Sequence, residues 1–352
     1  MKKLFSAMAV LATTALAAGE LEFTYTNSYD GSEQLALGYV PQSYSPEQAV
    51  PLVLLAHSAG CDRTQARNLG YYETAEKENF IVVCPELHGE YNPGQTSFAA
   101  LPAQYDMLDA MHYMLEHYNI DRTRIYVDGR SMGGMMAALL GLKHPDKFAA
   151  VMAGQGIYEM KDWGGDWVRE FGGTIEEKPF AYARRSAINF ARNGRYLPVF
   201  LWHGTNDTWV PVEQADNFFD ELKKFNKYQT PVFYRVASSH CEMNYPPQWI
   251  YDQLKTYQNV PENGFDCSTR FFRELDLITD EDGEIFYLGF KKANPDEFIE
   301  LQAVLDDEGA LVIRSVNAAE ITVNEAEIPF PVTSVTVDPG VKLQRLPRPA
   351  RK

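Results

Sequence analysis

Positive charge is scarce in this chain: 32 Lys and Arg stand against 48 Asp and Glu, a formal charge of −16 over 352 residues. A surface this acidic repels phosphate at long range, which argues against nucleic acid and anionic membrane surfaces as partners. Long apolar runs are also missing, since the one terminal apolar stretch covers only the first 17 residues and is too short to span a bilayer. Cysteine is limited to Cys61, Cys84, Cys241 and Cys267, and neither an internal repeat nor a low-complexity tract stands out. What remains is 45% apolar and 23% charged, the make-up of a globular protein able to bury a real core. The length fits about two domains, or one large catalytic domain with an appendage.

The N-terminus has the layout of a secretory signal. Lys2 and Lys3 precede the apolar stretch Leu4 to Leu16, and Ala15-Leu16-Ala17 offers a small-x-small cleavage site. Cleavage near Ala17 would make the mature protein secreted or periplasmic, and with no cysteine directly after the cut a lipid anchor is not expected. Four cysteines in an exported chain permit two disulfides in three possible pairings. A Cys241–Cys267 bridge would tie the loop after His240 to the following domain; buried free thiols are the other reading.

From Phe23 to about Val260 a short antiparallel start gives way to continuous apolar runs alternating with helical patterns. The runs are Leu52 to Ala56, Phe80 to Cys84, Arg124 to Asp128, Phe148 to Ala153, Leu197 to Trp202 and Val232 to Val236. Between them lie helical stretches Pro102 to His117, Met132 to Lys143, Val212 to Phe225 and Pro247 to Tyr257. Strands buried on both faces and separated by helices predict an α/β domain with a mostly parallel sheet over residues 18–260. Beyond Pro261 short alternating strands and polar turns predict a small all-β domain over 261–352 with a mobile tail. Its acidic turn Asp280-Glu281-Asp282-Gly283 lacks the spacing and distal glutamate of a calcium loop, so a solvated hairpin turn is expected there.

Directly after Arg124 to Asp128 stands Gly129-Arg130-Ser131-Met132-Gly133-Gly134, a G-x-S-x-G sequence between a strand and an apolar helix. So tight a turn leaves no room for β-carbons two positions either side of the serine, and it exposes Ser131 at a helix start that favours negative charge. A serine hydroxyl needs a base to take its proton and a carboxylate to orient that base. In strand-turn-helix serine hydrolases these follow in the order Ser, Asp, His. Asp207 lies in the loop after the strand ending at His203, and His240 alone among the histidines follows that carboxylate, just past Val232 to Val236. Ser131, Asp207 and His240 are therefore the expected nucleophile, acid and base. The oxyanion formed in acyl transfer calls for two backbone N–H donors. Met132 supplies one, and the loop His57-Ser58-Ala59-Gly60-Cys61 the other, with Ala59 chosen and Ser58 as the alternative.

AHSAG, GRSMGG, HGTNDTWVP and SSH, in this order over roughly residues 35–258, resemble the α/β-hydrolase superfamily. Within it the chain is similar to the secreted esterases related to polyhydroxybutyrate depolymerases, feruloyl and acetylxylan esterases, and the prolyl-oligopeptidase-like hydrolases. The resemblance implies an α/β-hydrolase fold with helices flanking a central sheet, the same five residues in the same roles, and no metal or cofactor. It departs where relatives often carry His-Gly in place of His57-Ser58. The stretch Gln155 to Arg192 holds Tyr158, Trp163, Trp167, Phe171, Phe180 and Tyr182 between glycine pairs. Rings above an ester site can stack on a sugar or phenol, and Trp163, Trp167 and Trp209 are the substrate-binding candidates. The reading is a carboxylic-ester hydrolase acting on polymeric or small-molecule plant polysaccharide esters, with a peptidase and a non-catalytic binding protein as rivals.

Overall fold

The computed structural model describes residues 18–91, 96–162, 165–240, 242, 245–261 and 267–348. The signal segment and Cys241, half of the expected bridge, lie outside the described residues. Eight strands form the first sheet: β1 (Gly19–Thr26), β2 (Glu33–Val40), β3 (Val50–Ala56), β4 (Ile81–Pro85), β5 (Ile120–Arg130), β6 (Ala150–Gly154), β7 (Val199–Gly204) and β8 (Val232–Val236). Their spatial order is β1-β2-β4-β3-β5-β6-β7-β8. β1 pairs with β2 and β2 with β4 in antiparallel fashion, and every later pairing is parallel.

Side chains on a strand alternate between faces, so a strand covered on both sides must be apolar throughout. In β3, Leu52, Leu54 and Ala56 enter one core with Met107 and Met111 of helix Leu101–His117 and with Met135 and Leu139 of helix Met132–Lys143. Val53 and Leu55 enter the other, with Tyr71 and Ala75 of helix Tyr71–Glu78 and Ile250 and Leu254 of helix Pro247–Leu254. The helix Met132–Lys143 is buried along its whole length, which explains why its sequence is apolar all round rather than on one stripe. It is the axle on which the turn carrying Ser131 is mounted.

The C-terminal region forms two four-stranded sheets, within residues 274–346, around a third core that includes Leu277, Phe290, Leu301, Ile313 and Ile321. An α/β-hydrolase core carrying an extra all-β region is the architecture the sequence predicts. One expectation is overturned. Asp280 is not solvated but 1% exposed. Its carboxylate meets Lys143 Nζ at 2.7 Å, and Arg184 Nε donates to it at 2.8 Å. Both cations belong to the α/β part, and Lys143 also reaches Glu281 at 2.8 Å and Gln104 at 2.6 Å. Burial alone would push the carboxyl pKa of Asp280 up; the two cations outweigh it and hold it below the usual carboxylate range. The second acidic turn, Asp306-Asp307-Glu308-Gly309, does have its three acids exposed.

Candidate active site

Ser131 sits between β5 and the axial helix with φ 54° and ψ −124°, a conformation that L-residues rarely adopt. The flanking glycines are required by contact: a Cβ on Gly129 would lie 2.3 Å from the Gly133 carbonyl oxygen, and one on Gly133 2.1 Å from that of Ala56. The Ser131 N–H donates to Gly154 O of the neighbouring strand at 2.8 Å, so the turn is locked to β6. Behind it Asp128, buried, accepts from the Tyr71 hydroxyl, and burial pushes its pKa up to about 7. That places Asp128 in a supporting role beneath the turn.

Asp207 and His240 arrive on loops after β7 and β8. Both loops leave the carboxyl end of the parallel sheet, where such sheets place their ligand sites. They brace each other: Thr205 N–H donates to Val236 O at 2.7 Å and Asn206 N–H to Ser238 O at 3.0 Å. A third support comes from Gln155, whose side-chain amide donates to Ser239 O at 3.2 Å. Asp207 accepts the amides of Trp209 and Val210 on Oδ1, each at 2.9 Å. Its Oδ2 lies 2.6 Å from His240 Nδ1, and His240 Nε2 lies 3.0 Å from Ser131 Oγ. His240 thus joins Asp207, 33 residues before it, and Ser131, 109 residues before it, into one chain of hydrogen bonds. With the proton of His240 on Nδ1, held by a carboxylate, Nε2 faces the serine hydroxyl as an acceptor.

The two oxyanion candidates flank the serine. Met132 opens the helix, and the amides of a first helical turn have no intrahelical acceptor. In the loop after β3, Ser58 N–H is spent on Gln65 Oε1 at 2.6 Å and Ser58 Oγ on Arg130 O at 3.0 Å. Ser58 is thereby occupied, and Ala59 stands beside it at the cavity. Ala59, Met132, Ser131 and His240 all line a cavity of about 660 Å³, walled by Phe98, Ile157, Trp167 and Trp209.

Of the aromatic candidates, Trp167 and Trp209 reach this cavity, while Trp163 lies outside the described residues. Trp209 is 76% exposed, with its ring within 6° of parallel to that of His240. Most of the other rings of the insertion pack inward: Tyr158 stacks on Phe218, Phe171 on Tyr182, and Phe180 meets Phe298 of the β region edge-on. Sequence reasoning missed Phe98 and Ile157, which carry no local signal, and it passed over His203, whose ring lies against Asp207.

The family model described as the prolyl oligopeptidase family matches residues 73–254, just over half of the chain. An uncharacterized peptidase of Bacillus subtilis (strain 168), YtmA, is 25% identical over 179 residues, covering 49% of this chain and 67% of that protein. Feruloyl esterase B of Neurospora crassa is 24% identical over 253 residues, covering 66% of this chain and 82% of the esterase. The fold is that of puromycin hydrolase, at a TM-score of 0.51 and 21% identity over 63% of this chain; the match spans only 36% of that structure.

Proposed function

The chain belongs to the prolyl oligopeptidase family, and we propose that within it this protein is an exported carboxylic-ester hydrolase acting on feruloyl or acetyl esters of plant polysaccharides. What supports the reading is the relay from Asp207 through His240 to Ser131, at 2.6 and 3.0 Å, opening into a largely apolar cavity with two tryptophans in its wall. In this mechanism His240 Nε2 takes the proton of Ser131 as Oγ attacks the ester carbonyl. The negative oxygen is received by the amides of Ala59 and Met132. Collapse of the adduct expels the alcohol, which takes the proton from His240 and leaves an acyl group on Ser131. Water, deprotonated by the same imidazole, then releases the acid.

A peptidase is the rival reading, favoured by the family's own description and by the YtmA match. Turnover of p-nitrophenyl, feruloyl and acetyl-xylan esters against aminoacyl anilides separates the two. A fluorophosphonate probe should label the wild-type protein and fail on Ser131→Ala. Equal labelling of both proteins would overturn the assignment of the nucleophile.

A further inference from the structure

We propose that His203 is a positioning residue on the far side of Asp207, a second imidazole that holds the acid loop closed and shares the carboxylate oxygen used by His240. The inference rests on the proposed Ser131–His240–Asp207 relay and extends it one residue further back. His203 is the penultimate residue of β7 and fully buried. Its Nε2 lies 2.9 Å from Val210 O and 3.3 Å from Asp207 Oδ2. A carbonyl oxygen only accepts, so Nε2 must carry the proton and point it between the two oxygens. Nδ1 is buried and, among the described residues, has no hydrogen-bond partner. Burial draws the pKa of His203 below its ordinary value, against the opposing pull of Val210 O and Asp207. Geometry and burial agree on a neutral ring protonated at Nε2.

Neutrality is the useful feature. A cation at this position would compete with the imidazolium of His240 for the same carboxylate, whereas a neutral donor steadies Asp207 and leaves its charge available. The bond to Val210 O also closes the turn whose amides grip Asp207 Oδ1, so one ring fixes the loop from both ends. The titratable group facing His203 from the adjoining acid loop is Asp207, with His240 beyond it on the loop after β8. Among the described residues, the further ionisable side chains by His240 include Arg130 and Cys61, in the cavity wall, and Glu242, which is turned toward Ser239 at 2.8 Å.

The test is a titration of the full chain labelled with ¹⁵N-histidine, followed by NMR, with kcat measured in parallel. In the wild type, His203 should be neutral with its proton on Nε2 at about pH 7.5. In His203→Phe, losing the donor concentrates charge on Asp207, so the midpoint of His240 should rise by about half a pH unit and kcat should fall several-fold. His203→Gln, which offers an amide N–H to Val210, should return the midpoint to within about 0.2 unit of wild type. An unmoved His240 midpoint in His203→Phe would overturn the proposal, as would a His203 that is cationic or protonated on Nδ1 at about pH 7.5. A His203→Gln midpoint displaced as far as that of His203→Phe would assign the effect to lost ring packing and overturn it too. Should His203→Phe not fold, the wild-type tautomer and the Gln variant still decide. The NMR midpoint is read without turnover, so failure of the proposed reaction, seen as absent fluorophosphonate labelling of wild type, remains distinct from failure of this inference.

Discussion

Replacing Asp280 with Asn keeps the shape of the side chain and removes the charge that neutralises Lys143 and Arg184. Breaking a buried ion pair by removing one partner costs about 3–5 kcal/mol, because the other charge stays buried without compensation. Here Lys143 and Asp280 have side chains 2% and 0% exposed, and Arg184 is 18% exposed. Lys143 keeps Glu281 at 2.8 Å and Gln104 at 2.6 Å, while Arg184 is left with Glu281 at 3.9 Å. That residual pairing puts the loss near the lower limit, about 3 kcal/mol. At roughly 2 °C per kcal/mol for a chain of this size, Asp280→Asn should melt about 6 °C below wild type by circular dichroism. Asp307→Asn, at a side chain 93% exposed, is the control and should change stability by less than about 0.5 kcal/mol. The pH dependence follows from sign. The folded pKa of Asp280 is depressed, so its contribution is present above the unfolded carboxyl value near about pH 4 and is lost as pH falls through the lower folded value. The gap between wild type and Asp280→Asn should therefore close in acid. A variant melting within about 1 °C of wild type at neutral pH, or a gap that does not shrink as pH falls below about 4, would refute the reasoning.

Ester hydrolysis should fall in acid, approaching about ten-fold per pH unit once His240 is mostly protonated, because a protonated imidazole cannot accept from Ser131. A rate flat from about pH 8 to 5 counts against His240 as the base. Trp209→Ala should lower kcat/KM for feruloyl esters about five-fold, the equivalent of about 1 kcal/mol of ring contact, and leave small acetyl esters nearly untouched. Equal losses on both substrates would instead assign Trp209 to the support of the Asp207 loop, whose Oδ1 accepts its amide at 2.9 Å.

Much of the fold was legible because burial on both faces of a sheet writes itself into composition. The strand Val232–Val236 and the helix Met132–Lys143 begin and end where the apolar pattern does. That Ser131, Asp207 and His240 would meet was legible for a related reason, since a turn too tight for β-carbons demands glycines at fixed offsets and chain order restricts the carboxylate and the imidazole. The environment of Asp280 was not legible. An acidic run followed by Gly looks the same whether water or a buried lysine faces it, and Lys143 lies 137 residues away. The aromatic insertion shows the same limit: sequence supplies the rings but not their direction, and Tyr158 turns to Phe218 while Trp167 turns to the cavity. His203 was hidden because its partner Val210 returns to it only through the curl of the loop between them.

The β region and the cavity at Ser131 are linked through one segment. Between the wall at Trp167 and the start of β7, the chain at residues 180–196 is held repeatedly by the β region. Phe298 packs against Phe180 and Phe190, with ring centres 5.2 and 5.5 Å away. Arg192 Nη1 donates to Glu300 at 2.7 Å, and Asn193 imitates a strand neighbour: its amide donates to Ile278 O at 2.8 Å while its carbonyl accepts from Ile278 N–H at 2.9 Å. The Tyr196 hydroxyl accepts from Asp276 N–H at 2.7 Å. Next to Arg184, the buried Arg185 donates to Glu170 O at 2.8 Å and lies over Phe171, which packs with Phe98 at the cavity. A buried amide matched on both sides, a carboxylate matched to two cations and an interlocked aromatic cluster are specific contacts whose unpaired remainders would be costly. They make the β region part of what holds this cavity wall in place and steadies β7, the strand that carries His203 and leads into the loop of Asp207.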